Sequence, residues 1–297
     1  MNTTRRLAAH PWVKNAEFAI NTDAGGGILD ETTGKPLIYL VQGAEKTYAD
    51  FELTVRDPGG HSSRPRADNA IYVLADALKK LQAYRFPVMS NEWTLQNLSA
   101  SSKTVPGRVG EALREFAANP VDGPAADVLN GEPEYVGLTR TTCVATMLKA
   151  GHAENALPQA ATANVNCRIF PGTSIESVKG TLQELAGAKV SIKVIDDPSA
   201  SDASPMRKDV MDSITRVVHK RYPGLPLVPY MSAGATDGKY FRAAGIPVYG
   251  VLFLFAKESE EFAHGLNERT RVDQFYNSLE DWHALLKDVA GRKTKSR

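Results

Sequence analysis

The chain has 297 residues, 42% hydrophobic and 23% charged, the proportions of an ordinary globular protein with room for a large core. Thirty-five basic residues stand against 34 acidic ones, a formal net charge of +1, so nothing in the charge points to nucleic acid or an anionic membrane as partner. No run of about 18 apolar residues offers a membrane span, and the opening MNTTRRLAAHPWVKN lacks the apolar stretch of a secretory signal, which makes the cytoplasm the default expectation.

The first elements read as α/β. Glu17 to Ile20 is a short apolar run that stops at the Gly-rich turn Asn21 to Gly27, and Lys35 to Gln42 reads as a second strand. Tyr48 to Arg56 alternates as a half-buried strand and runs into the turn Asp57-Pro58-Gly59-Gly60. Asp68 to Leu81 reads as a helix with Asp68 as its N-cap and Ile71, Leu74, Leu78 and Leu81 on one face. Residues 83–140 give little beyond one helix near Arg108 to Ala117. Strands follow at Thr142 to Lys149 and Thr162 to Phe170, then a helix at Ser174 to Leu185 and a strand at Val190 to Ile195. Pro198 to Pro205 reads as a small-residue linker. Beyond it come a helix at Lys208 to Tyr222, a strongly apolar strand at Gly245 to Phe255 and a helix at Asp273 to Val289. The expected fold is an α/β domain (residues 1–46 and 198–297) interrupted by an α+β domain (47–197) with the β-α-β-β-α-β order of a ferredoxin-like sandwich. Cys143 and Cys167 form no C-x-x-C pair and are expected as two buried thiols.

Four constellations offer chemistry, each with a plainer alternative. Asp23, at a strand end before three glycines, suits a cation ligand or merely caps a turn. His61, in Gly59-Gly60-His61-Ser62-Ser63, can donate to a developing oxyanion or be an idle loop histidine. No G-x-S-x-G or S-x-x-K frames Ser62 as a nucleophile. Asn155, in Asn155-Ala156-Leu157-Pro158, precedes Arg168, which can grip a substrate carboxylate or serve a surface ion pair. Ser232 to Gly238 and His264-Gly265 supply small loop residues, with Gly234 and Ala235 able to offer backbone N–H groups to an anion, and a candidate metal ligand in His264.

Taken in order, D-A-G-G-G, G-G-H-S-S-R-P…D-N-A-I, N-A-L-P…R-I-F-P-G-T-S, G-A-T-D-G-K-Y-F…G-I-P-V-Y-G and H-G-L-N-E-R resemble the M20 metallopeptidases, which include glutamate carboxypeptidases, aminoacylases, dipeptidases and carnosinases. The resemblance spans nearly the whole chain, least in 83–140. It implies a zinc-binding α/β domain carrying an inserted lid, residues 47–197, through which two copies dimerise. It matches Asp23 and His264 to zinc ligands and His61 to the lid histidine that polarises the scissile carbonyl in the partner's site. Asn155 and Arg168 match substrate-holding residues, Gly234, Ala235 and Thr236 the loop lining a carboxylate pocket, and Asp237 a positioning acid of that loop. The H-x-D motif, metal-bridging Asp and Glu-Glu pair that the family carries before the position of Asp23 are not found there in this sequence, which leaves an incomplete di-zinc site. Such a lack also predicts exposed apolar surface on the α/β part. The expected activity is hydrolysis of an amide, peptide or ester bond beside a carboxylate-bearing group, on small peptides or N-acyl amino acids. The alternatives are a non-catalytic dimeric binding protein and a metal-independent esterase recruiting His61, Ser62 or Ser232.

Overall fold

The computed structural model describes residues 3–260 and 262–291. In chain order it contains α1 (Thr3–Ala8), β1 (Ala19–Asn21), β2 (Gly26–Leu29), β3 (Pro36–Glu45), β4 (Thr47–Arg56), β5 (Gly60–His61) and α2 (Ala70–Ala83). Four helices follow, α3 (Glu92–Ser101), α4 (Gly107–Ala118), α5 (Pro124–Asn130) and α6 (Pro133–Thr139), then β6 (Thr142–Ala150), β7 (Ala156–Leu157), β8 (Ala160–Ile169), α7 (Ile175–Ala186) and β9 (Val190–Ile195). The last stretch holds α8 (Lys208–Arg221), β10 (Leu227–Ser232), α9 (Gly238–Ala243), β11 (Val248–Gly250), β12 (Phe255–Ala256) and α10 (Val272–Ala290).

Two large sheets organise these elements. The four-stranded sheet has the order β6-β8-β4-β9, antiparallel throughout, which is the ferredoxin-like order with its first and third strands, β4 and β8, inside. Alternation along β4 turns Ala49, Phe51, Leu53 and Val55 onto the helices α2 and α7, while Tyr48, Asp50 and Glu52 face away. Each large side chain buried there contributes about 1.5–3 kcal/mol. The six-stranded sheet runs β1-β11-β3-β2-β12 with β10 on the other edge of β3, and packs Tyr39, Val41 and Tyr249 with Val210 and Ile214 of α8 and Leu285 of α10. A third core, Leu98, Leu113, Phe116 and Leu129, binds α3, α4 and α5 together. The chain crosses from one large sheet to the other at Lys46, the single residue between β3 and β4.

Several expectations are corrected. Asn69, not Asp68, caps α2: its Oδ1 accepts from Ile71 N at 2.8 Å, and Asp68 pairs with Arg66. Ile71 is 40% exposed, because α2 buries Ala70, Leu74, Ala77 and Leu81. Gly26 and Gly27, expected in a turn, lie in strand β2; a Cβ on Gly27 would sit 1.9 Å from the Phe255 ring, so the glycine serves close packing. The 245–255 run divides into β11, beside β1, and β12, beside β2. The 198–205 segment carries no regular element, yet Ser204 is buried, donating from Oγ to Val248 O and accepting from Trp93 Nε1 on its carbonyl. Cys143 and Cys167 are not thiols: they face each other across β6 and β8 and form a disulfide. Helix α10 turns Gln274, Ser278 and Asp281 inward while Phe275, Tyr276, Leu279 and Leu286 stay at least half exposed, an apolar stripe without cover among the described residues.

Candidate active site

The loop after β10 and the outer face of β8 meet at Arg168. Its Nη1 donates to Ala233 O at 2.8 Å and its Nε to Asn166 Oδ1 at 3.3 Å, with the guanidinium 4.6 Å from the Tyr48 ring centre. Alternation places Tyr48, Asp50, Asn164, Asn166 and Arg168 on one polar face. Asp50 accepts from Asn164 and Asn166 at 2.9 Å each. Partial burial pushes its carboxyl up, but these amides, Tyr48 and the Arg168 charge hold it below the usual range. The arginine head is thereby fixed by a hydrogen bond, a ring and an ordered polar floor, with N–H groups left over for a carboxylate.

Beside it, the 232–238 loop is clamped from beneath. Thr236 N donates to Glu45 Oε2 at 2.6 Å, and Arg242 Nη2 donates to Glu45 Oε1. Both side chains of that pair are 2% exposed. Burial pushes the Arg242 guanidinium below its ordinary value, against the raising effect of Glu45. Gly234 N donates to Ser232 Oγ at 2.9 Å. Of the two amides considered for anion binding, that of Gly234 is therefore already engaged, as is that of the neighbouring Thr236, and exposed Ala235 is the loop residue whose amide is not committed to these bonds. Asp237 accepts from Thr4 Oγ1 at 2.9 Å, which suits a positioning role.

Residues His61 and Asn155 come together in a small ribbon. His61 of β5 pairs with Ala156 of β7, and Ser62 N donates to Asn155 O at 3.0 Å. The exposed imidazole is steadied by Ser63, whose N lies 3.2 Å and Oγ 2.8 Å from Nδ1. No carboxylate orients the ring among the described residues, so the pair is a turn lock and lacks the third member of a serine–histidine relay.

Asp23 and His264 lie in exposed loops of the α/β part. Asp23 N donates to Asn21 Oδ1 at 3.1 Å in an exposed turn, and exposed His264 adopts φ 62°. Through the pairings β1–β11–β3–β10, strand β1 runs opposite to β10, so the Asp23 turn and the 232–238 loop leave the sheet in opposite directions. Among the described residues no group of three or more His, Cys, Asp and Glu gathers as a metal would require. A catalytic zinc takes three protein ligands and an open position, and the donors here fall short of that set.

Sequence reading missed Glu45 and Lys46. Their signal was an acid–base dipeptide inside the mostly apolar and small run from Ile38 to Ala49, where charge has to be paired to be buried. Lys46 is 1% exposed and donates to Arg140 O at 2.9 Å and Thr142 Oγ1 at 3.3 Å. Burial, with the nearby Arg168 charge, pushes its amine down to about 7.

Residues 43–192, half the chain, match the family profile described as the peptidase dimerisation domain of M20. The chain belongs to the M20 peptidase family. Among curated relatives, N-fatty-acyl-amino acid synthase/hydrolase PM20D1 of Xenopus tropicalis is 27% identical over 283 residues, 90% of this chain and 54% of that protein. The probable carboxypeptidase S-like 2 of Dictyostelium discoideum is 24% identical, over 82% of this chain and 47% of that protein. This M20 chain thus spans about half the length of the curated relatives it matches. Its fold is similar to the M20 metallo-carboxypeptidase Sso-CP2 of Sulfolobus solfataricus (TM-score 0.59, 18% identity, 88% of this chain and 62% of that one). The di-peptidase Dug1p of Saccharomyces cerevisiae gives TM-score 0.59 at 14% identity, over 97% of this chain and 62% of that one. No helix of the described residues is long and apolar enough to cross a membrane.

Proposed function

We propose that this chain supplies the carboxylate-gripping part of an M20 amide hydrolase acting on N-acyl amino acids or small peptides. The observation that carries the reading is Arg168, locked by Ala233 O, Asn166 and Tyr48 between a lid strand and the small-residue loop. Its remaining N–H groups orient the substrate carboxylate, with Ala235 N–H beside them and Gly234 and Thr236 shaping the loop. Asn155 and His61, on the ribbon at the end of β4, act on the scissile amide, His61 by donating to the carbonyl oxygen as it gains charge. Residues 47–197 form the lid in this reading and residues 1–46 with 198–297 the α/β part. Edge strand β6 leaves Val144, Met147 and Leu148 at least 60% exposed, which supports pairing of two lids into a homodimer. Asp23 and His264 are proposed as two zinc ligands of an incomplete set, and no step is assigned to the metal. The Cys143–Cys167 disulfide favours an oxidising compartment over the cytoplasmic default.

Purified chain is assayed against N-acyl amino acids and dipeptides after zinc loading and after chelation. Turnover in the loaded form alone, with KM raised about tenfold or more in Arg168→Ala, is expected. Absence of turnover in every condition overturns the hydrolase reading. A second reading, carboxylate binding without catalysis, draws on there being no cluster of three metal donors among the described residues. It predicts saturable binding of an N-acyl amino acid, sensitive to Arg168→Ala, with no product.

A further inference from the structure

On the other side of the lid sheet from Arg168, a cavity of about 360 Å³ opens between the ends of α2 and α7 and the α5–α6 corner. Leu81, Tyr84 and Leu185 line it, together with Cys143 of the disulfide and two arginines, Arg85 and Arg140. Arg85 is committed, donating to Asp127 Oδ1 at 2.7 Å, and is 55% exposed. Arg140 is different. Its side chain is 4% exposed, and Nη1 donates to Phe86 O at 2.9 Å. Its Nε and Nη2 are both buried and make no hydrogen bond among the described residues.

Those two nitrogens share one edge of the guanidinium, the edge whose parallel N–H groups match the two oxygens of a carboxylate. A buried cation with an unfilled bidentate edge is a costly thing to retain unless something fills it. The nearest acid is Asp122, whose Oδ1 lies 3.9 Å from Nη2, beyond hydrogen-bond range, on a side chain 81% exposed. It marks the sign of charge the edge attracts, and a side chain so exposed is free to turn outward.

The geometry points to a second ligand site here, distinct from the Arg168 assembly: a small carboxylate of amino-acid or hydroxy-acid size enters the cavity, displaces Asp122 and takes the Nε/Nη2 edge of Arg140. The predominantly polar rim (Gln82, Asn130 and Thr142) suits such a molecule better than a long acyl chain. The proposal does not depend on the hydrolase reading, because none of these residues belongs to that site.

The test uses the full chain labelled with ¹⁵N at arginine. The Arg140 Nε–H resonance is followed while succinate, glutamate or inorganic phosphate is added against sodium chloride of equal ionic strength. Saturable 1:1 shifts with the carboxylates, weakened about tenfold or more in Arg140→Lys, which keeps the charge and loses the fork, are expected. Asp122→Asn should tighten binding, since it removes the competing carboxylate. If Arg140→Lys does not fold, the wild-type Nε–H shift and its response to Asp122→Asn decide. Shifts that survive Arg140→Lys and vanish in Arg168→Ala place the ligand elsewhere and overturn the proposal. So do absence of saturation up to about 50 mM, a response to phosphate alone, or a crystal structure with Asp122 or water closing the fork in the presence of ligand.

Discussion

Replacing Glu45 by alanine leaves the buried Arg242 without a counter-charge and the Thr236 amide without its acceptor. With both ionic side chains 2% exposed, the loss falls in the regime where breaking one partner of a buried pair costs about 3–5 kcal/mol. That is a large share of the roughly 5–15 kcal/mol that holds a typical domain folded. The double replacement Glu45→Met with Arg242→Met removes both charges at similar volume, so the ionic penalty disappears. What remains is the orphaned Thr236 N–H, about 1–3 kcal/mol. The double variant should therefore be more stable than Glu45→Ala, the non-additivity expected of a directly coupled pair. Urea unfolding followed by circular dichroism gives each stability from midpoint and slope. A loss below about 1 kcal/mol in Glu45→Ala, or a double variant as unstable as the summed singles, would refute the reasoning.

Three further outcomes follow from the same geometry. Lys46 has its folded pKa depressed to about 7 from the ordinary 10.5 of a lysine, so the unfolded chain binds more protons between these values. Stability should rise with pH across about 7 to 10.5 and fall as pH drops through 7; in Lys46→Met this slope should vanish, as read by urea midpoints at several pH values. Reducing the Cys143–Cys167 disulfide, which closes a loop of 24-residue separation, should cost about 3 kcal/mol, seen as a lower melting temperature with reductant that Cys143→Ser/Cys167→Ser reproduces without it. Gly43→Ala would put a methyl 1.8 Å from the buried Trp93 ring; a loss of about 1–3 kcal/mol or more, with a changed tryptophan emission, is expected, and a silent substitution would contradict the packing.

The ferredoxin-like sheet was legible because its strands obey one simple period. Tyr48 to Arg56 and Val190 to Ile195 alternate cleanly, and both became strands within a residue or so of the expected ends. Residues 83–140 resisted reading because α5 and α6 have only seven residues each, begin at proline and bury only one or two side chains, too few to set a helical period. Strand β10 was missed for a different reason. Pro229 argues against a strand, yet β10 pairs with β3 alone and sits at the sheet edge, where a missing N–H is tolerated. At the candidate site, motif order pointed to Arg168, His61 and Asn155, and the structure puts Arg168 against the 232–238 loop and His61 beside Asn155. It could not point to Glu45, Lys46 or Arg140, because their importance lies in which partners burial gives or denies them. The cysteine pairing was hidden likewise, since it depends on β6 and β8 being neighbours in register.

The passage from β3 to β4 makes the two sheets share one spine. Ten strand residues lie on either side of Lys46, and the only other covalent link between the sheets is the irregular stretch after β9. Such a spine behaves as a lever with its fulcrum at a single residue. Each arm is roughly 33 Å long at strand rise, so a turn of about 6° at Lys46 carries the far end of β4 through about 3 Å. That far end leads into the ribbon bearing His61. The fulcrum is also a buried amine pushed down to about 7, so a change of charge near neutral pH falls at the one residue that joins the two arms.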